Sequence, residues 1–138
     1  MSHLTPEQRD MLQVWSEYGE RPFDGIIEMG KPAEFLQMLY QNRVFGPFFR
    51  GTLRHGELEI GDIFEYTYPT SWSYEEETAK NFIEGLFPAT LLIIPESELA
   101  GVENTENSHR EQEAILAPFK LTVLDKSEEN GVVILTLG

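Results

Sequence analysis

The sequence contains no cysteine. That excludes a disulfide framework, a thiolate zinc centre and a cysteine nucleophile. Histidine is scarce as well. His3, His55 and His109 are scattered, without the paired spacing of a histidine metal site, so no metal is expected. Basic residues are few: 10 Lys and Arg stand against 24 Asp and Glu, a formal charge of -14 with a pI of about 4.5. Such a surface repels phosphates and anionic lipid, so direct binding to nucleic acid or membrane is not expected. The acidity serves solubility or imitates a polyanion. No apolar run approaches the roughly 20 residues that cross a bilayer. The opening "MSHLTPEQRD" lacks a basic-then-apolar export pattern, which makes cytoplasmic residence the expectation.

What is present suits one folded domain over residues 1–138. Hydrophobic residues make up 41% of the chain and aromatic residues 12%, enough for a core. Thr5-Pro6 opens a helix with Met11, Leu12, Val14, Trp15 and Tyr18 on one stripe, closed by Gly19 and Pro22. A second helix is expected over residues 32–42, with Phe35, Leu36, Met38, Leu39 and Tyr40 turned inward. The texture then changes. "VFGPFFRGT" reads as a strand interrupted at Gly46-Pro47. Gly61-Asp62 forms a turn into a strand over residues 63–67. "SYEEETAKNFIEG" is a helix with a Ser73/Glu76 capping box, Ala79, Phe82 and Ile83 facing the core, and Gly85 as its stop. "ATLLIIP" alternates too little for a half-exposed strand and reads as central. Residues 99–110 are polar and aperiodic and read as a loop, of a length that is more often functional than filler. "AILAPF", "KLTVLD" and "VVILTLG" close the chain as strands, the last two joined by an Asn130-Gly131 hairpin. Helices first, then mostly strands, make an α+β plan.

Four features can carry chemistry. Arg50 ends an aromatic strand and is followed by Gly51. An arginine fork suits a phosphate or carboxylate, and glycine lets a ligand approach the backbone; alone, Arg50 also reads as an edge arginine snorkelling to water. Ser71 lies two residues before Ser73, so both hydroxyls share a side if the backbone is extended. The third feature is the polar loop. The fourth is "EQE", where Glu111 and Glu113 face one space in extended backbone. Crowded carboxylates can divide labour, one stabilising a cation and the other accepting a proton; a lone pair of this kind is more often solvated surface charge.

In this order and context, the features resemble the mono-ADP-ribosyltransferases of the arginine–serine–glutamate class, related to cholera toxin and the clostridial binary toxins. "FFRGTL" resembles the family's strand-borne arginine, "GDIFEYTYPTSWSYEEETAKNF" its serine strand and helix, and "EQEAILAPFKLTVL" its paired glutamates with their closing strands. The resemblance covers about two-thirds of the chain, residues 44–137. Tryptophan at 72 stands where the family has threonine, and the chain is short for the family.

The resemblance implies two small, mostly antiparallel sheets around an NAD cleft with flanking helices. Residues 1–43 would supply the N-terminal helices and residues 44–138 the NAD-binding catalytic core. It implies NAD as substrate, cleavage of the nicotinamide–ribose bond, and transfer of ADP-ribose to a target protein on arginine. It assigns Glu113 to the ribose cation, Glu111 to the acceptor proton, Arg50 to the NAD phosphates and Gly51 to the nicotinamide amide. Ser71 would orient Glu113. Thr52, Trp72 and Ser73 would complete the cofactor-binding set, with Trp72 or Tyr74 stacking on NAD or belonging to the core. The setting it suggests is a small phage or bacterial effector. A non-catalytic acidic binding module on the same fold, an NAD glycohydrolase, and a transferase with another acceptor are the competing readings. Oligomeric state is not legible.

Overall fold

The computed structural model describes residues 4–19, 21–106 and 113–138. Helix α1 spans Pro6–Glu17. Thr5 caps it: its Oγ1 accepts from the Gln8 N–H at 3.1 Å, and Gln8 Oε1 accepts from the Thr5 N–H at 2.9 Å. Met11, Leu12 and Trp15 form its buried stripe. Gly19, at φ 69°, breaks the chain direction as expected. Pro22 does more than end a helix. It is the first residue of a second one, α2 (Pro22–Glu28), where a missing N–H costs nothing. Helix α3 is Pro32–Tyr40 and buries Phe35, Met38 and Leu39; Tyr40, expected inside, is 51% exposed, roughly 100° round the helix from Leu39 and off the buried stripe.

Among the described residues the strands are β1 (Arg43–Phe45), β2 (Phe48–Thr52), β3 (Ile63–Tyr66), β4 (Thr70–Ser73), β5 (Ala89–Ile94), β6 (Glu98–Glu103), β7 (Glu113–Leu116), β8 (Phe119–Glu129) and β9 (Val132–Leu137). Helix α4 (Glu76–Ile83) lies between β4 and β5. The sheet order is β1-β6-β7-β4-β2-β5-β9-β8-β3, and among the described residues β5–β9 is the one parallel pair. The α+β, mostly antiparallel plan therefore holds. The two sheets expected are joined into one continuous order, but the joint is narrow. Strand β2 pairs with β5 over five residues and with β4 only at Phe49↔Ser73. A four-stranded half (β1, β6, β7, β4) and a five-stranded half (β2, β5, β9, β8, β3) thus meet at one residue pair.

Three apolar clusters hold the fold. Helices α1, α2 and α3 pack Trp15, Ile26 and Phe35 onto Val102 and Ile115 of the four-stranded half and Ala117 just after β7. Phe48, Phe64, Trp72, Leu92 and Leu135 fill the space between the halves. Helix α4 covers the back of β2 and β5 through Ala79 and Ile83. Strand β5 is central and almost wholly buried, as its composition requires. Asn130 and Gly131 both have positive φ, 53° and 81°, the backbone of a tight hairpin between β8 and β9.

Three expectations need correction. Residues 99–103 are strand, not loop: β6 pairs with β1 on one side and β7 on the other, so neighbours satisfy its backbone without an alternating apolar pattern of its own. Ser73 does not cap α4. It belongs to β4, and its Oγ accepts from the Glu75 N–H at 3.0 Å, a local turn ahead of a helix whose cap residue is Glu75. Phe82 is 74% exposed. The inward stripe of α4 runs through Ala79 and Ile83, one turn apart, and Phe82 sits roughly 100° round from Ile83. No helix of the described residues is long and apolar enough to cross a membrane.

Candidate active site

The narrow joint between the halves is where the singled-out residues meet. Past Phe49↔Ser73, β2 and β4 stop pairing, and a side chain takes over from the backbone. Arg50 donates from Nη1 to the Ser71 carbonyl at 2.8 Å and from Nε to the Tyr66 hydroxyl at 3.2 Å. Its guanidinium carbon sits 5.6 Å from the centre of the Tyr66 ring. Hydrogen bonds from a charged donor contribute about 1.5–3 kcal/mol each, enough to fix a half-buried side chain that would otherwise swing to water. Two of its N–H groups are committed, which leaves a fixed fork with the remaining donors for an anion.

Tyr66 is held in its protonated form. Burial pushes its phenol pKa up, and the neighbouring Arg50 charge only partly opposes this. His55 packs edge-on against Phe64 and Tyr66, with ring centres 4.8 and 5.6 Å away. Burial lowers its pKa; Glu57 opposes that, and Arg50 and Arg54 add to it.

Strand β4 pairs with β7 through Ser71↔Ile115 and Ser73↔Glu113. Opposed residues in an antiparallel pair share a face, so Ser71, Ser73, Ile115 and Glu113 line one side. Helix α1 lies over that side. Its Trp15 indole N–H donates to Ser71 Oγ at 2.9 Å. Glu113 is half-buried, and its Oε1 accepts from Asn104 Nδ2 at 2.6 Å. Asn104 Nδ2 also donates to Ser16 Oγ of α1 at 2.9 Å.

The structure therefore brings Arg50, Ser71, Ser73 and Glu113 together from three separated stretches. Gly51 and Thr52 continue β2 beside Arg50, half-buried, with Thr52 Oγ1 accepting from the Arg54 N–H at 3.3 Å. A Cβ at Gly51 would lie 2.4 Å from the Ala79 carbonyl oxygen, so helix packing already demands glycine there. Trp72 is 2% exposed, packed on Tyr66 and Phe119, and its indole N–H donates to Thr70 Oγ1; it is core rather than a stacking platform. Tyr74 packs against Phe48, and burial and Glu103 push its phenol up to about 12. Glu111 lies outside the described residues. Among the described residues, no group of three or more carboxylates or histidines is placed to share a metal ion. A cavity of about 430 Å³, lined by residues that include Arg9, Arg43 and Tyr74, holds none of Arg50, Ser71 or Glu113.

Sequence reasoning missed Tyr66, Trp15, Ser16 and Asn104. The first three were legible only as apolar-stripe or polar-surface positions. Asn104 sat in a stretch read as loop, and nothing local announces that its side chain is buried.

No protein-family model and no curated sequence matches the chain. Solved structures do. The Vis toxin of Vibrio splendidus, an ADP-ribosyltransferase, in its complex with an inhibitor superposes with a TM-score of 0.68 over 96% of this chain and 72% of that one, at 17% identity. This chain has the ADP-ribosyltransferase fold. The Salmonella SpvB domain matches with a TM-score of 0.62, 14% identity, and 96% and 98% of the two chains. Exoenzyme S of Pseudomonas aeruginosa, solved bound to carba-NAD, matches at 0.58 and 19% identity, over 95% of this chain and 64% of that one. At such identities the ADP-ribosyltransferase fold is what is shared, and residues must be judged from their own geometry.

Proposed function

We propose that the chain is an NAD-dependent mono-ADP-ribosyltransferase that modifies a target protein on arginine. The observation that carries this reading is the meeting of Arg50, Ser71 and Glu113 at the one-residue joint between the half-sheets. The ADP-ribosyltransferase fold supports it, as does a neighbour bound to carba-NAD.

In this reading the guanidinium of Arg50 grips the NAD diphosphate, and the backbone of Gly51 meets the nicotinamide amide. The bond between ribose C1′ and the nicotinamide nitrogen breaks, and its electron pair leaves with neutral nicotinamide. Positive charge spreads over C1′ and the ring oxygen, as in glycoside cleavage. The carboxylate of Glu113 faces that charge. A target arginine nitrogen then bonds to C1′, and Glu111 takes its proton. Arginine is protonated in water, so a nearby base is chemically required. Ser71 orients Glu113 from the same face of the β4–β7 pair, where Ser73 is the residue opposite Glu113 in register. The acidic surface suits an arginine-bearing, basic target, and the site of action in this reading is the cytoplasm.

The test is to incubate the purified chain with adenylate-labelled NAD and a cell lysate, follow nicotinamide release, and identify labelled proteins by mass spectrometry. The expected result is ADP-ribose on arginine in one or a few proteins. If NAD is neither bound nor consumed, the fold serves as a binding module and the reading is wrong. Glu111→Ala is expected to lose protein labelling while still releasing nicotinamide; parallel loss of both would remove its acceptor role.

Tyr66 offers a finer check. Tyr66→Phe removes the oxygen that accepts from Arg50 Nε and leaves the ring in place. KM for NAD is expected to rise about three- to tenfold with kcat nearly unchanged, since about 1 kcal/mol of orientation is lost in ground and transition state alike. A fall in kcat at constant KM would contradict this role.

A further inference from the structure

We propose that Asn104 is the positioning residue for Glu113, fixing its carboxylate in one orientation and ordering it against α1; this rests on the reading of Glu113 as the carboxylate that faces the ribose. Asn104 directly follows β6 and is 5% exposed, a polar side chain buried in the joint between sheet and helix. Its hydrogen bonds fix which way the amide points. Oδ1 accepts from the Glu106 backbone N–H at 3.0 Å, which can only donate, so Nδ2 must face the other way. The two hydrogens of Nδ2 then go to Glu113 Oε1 at 2.6 Å and Ser16 Oγ at 2.9 Å. Ser16 can only accept there, because its own hydroxyl donates to the Leu12 carbonyl at 3.0 Å. The Asn104 backbone N–H donates to the Glu113 carbonyl at 2.8 Å. Main chain and side chain of Glu113 are thus both gripped by one residue, itself tied to α1.

Two consequences follow. A donor aimed at one carboxylate oxygen turns the glutamate into a fixed geometry before substrate arrives, where a free glutamate would sample several rotamers. It also favours the ionised form, the only form able to stabilise a cation. Ser73 stands opposite Glu113 in register, and Ser16 of α1 is tied to it through Asn104. An oriented amide thus contributes to the polarity of the site at this point.

Asn104→Leu, close in size and without the donor, is the direct test. Turnover is expected to fall on the order of 100-fold while KM for NAD moves less than a few-fold, the signature of a misplaced transition-state group. The ¹³C carboxyl resonance of Glu113 should titrate at higher pH than in the wild type, because a donor to the charged form has gone. Asn104→Asp keeps shape and the acceptor for Glu106. It should be nearly inactive at neutral pH, where two carboxylates face each other, and regain turnover on acidification, when a shared proton restores a donor. The NMR measurement needs no catalysis. If Glu113→Gln retains turnover, the reading of the site fails, yet the resonance still reports on Asn104. A folded Asn104→Leu protein with wild-type kcat and an unmoved Glu113 titration overturns the proposal. If that variant does not fold, a pH profile of Asn104→Asp parallel to the wild type does so.

Discussion

Glu113→Gln is expected to slow nicotinamide release by about a thousandfold or more and to leave NAD affinity within a few-fold of wild type. The substitution is nearly isosteric. Glutamine still presents an oxygen to Asn104 Nδ2, so the strand pair with Ser73 and the fold survive. What disappears is one negative charge. Opposed to a unit positive charge about 4 Å away, at an effective dielectric near 20, that charge is worth about 4 kcal/mol. Each 1.36 kcal/mol is tenfold in rate, so the loss is roughly 10³. The cation exists only in the transition state, so binding should hardly change. Chromatography of released nicotinamide gives kcat, calorimetry with NAD gives affinity, and a thermal melt within a degree or two of wild type confirms the fold. A loss of less than tenfold in kcat would remove Glu113 from the chemistry.

Local chemistry and long-range packing were not equally legible in the sequence. Elements fixed by local chemistry were readable: the Thr5 cap of α1, the interruption at Gly46-Pro47, the Gly85 stop of α4 and the Asn130-Gly131 hairpin all rest on residues that dictate their own backbone. Strand β5 was readable because burial on both faces removes alternation. Elements fixed by neighbours were not. Strand β6 lacks a regular apolar alternation and is a strand because β1 and β7 pair with it. Helix α2 has seven residues, two turns, too short for a periodic pattern to stand out. The exposure of Phe82 depends on which way the last turn of α4 faces.

The candidate site divides the same way. Arg50, Ser71 and Glu113 were visible as residue types in an order that resembles a family. Their surroundings were not. Tyr66, Trp15, Ser16 and Asn104 are separated from their partners by 16, 56, 88 and 9 positions along the chain, and no window of sequence joins them. Helix α1 changes meaning as a result. It reads in sequence as a flanking helix of the N-terminal segment. In the structure it sends Trp15 to Ser71 and Ser16 to Asn104, so two polar groups of the first helix face the strands that carry the candidate machinery. The split into N-terminal helices and a catalytic core at residue 43 is therefore a proposal about chain segments, and the hydrogen bonds cross it.

Gly51→Ala is expected to destabilise the fold by about 2–3 kcal/mol, the range of overpacking one methyl against an unyielding wall. Two needs for glycine compete at this position. One is access, in which NAD approaches the backbone and a methyl group blocks it. The other is packing, in which α4 rests directly on β2. The added Cβ would lie 2.4 Å from the Ala79 carbonyl oxygen and 3.0 Å from Ile83 Cγ2. Ile83 can turn aside; a backbone carbonyl in the middle of a helix cannot. Either α4 lifts off Leu91 and Ile134, or β2 bends away from β5. The entropy that alanine removes from the unfolded chain returns less than about 1 kcal/mol and leaves the sign unchanged. For a chain of this length the melting temperature should drop by roughly 6–12 °C. Because Ala79 contributes a backbone atom, Ala79→Gly should give no rescue. The two needs separate in measurement. If access alone requires glycine, Gly51→Ala melts like the wild type and only its KM for NAD rises. If packing requires it, stability falls first, and turnover falls with it because Arg50 is carried on the displaced strand.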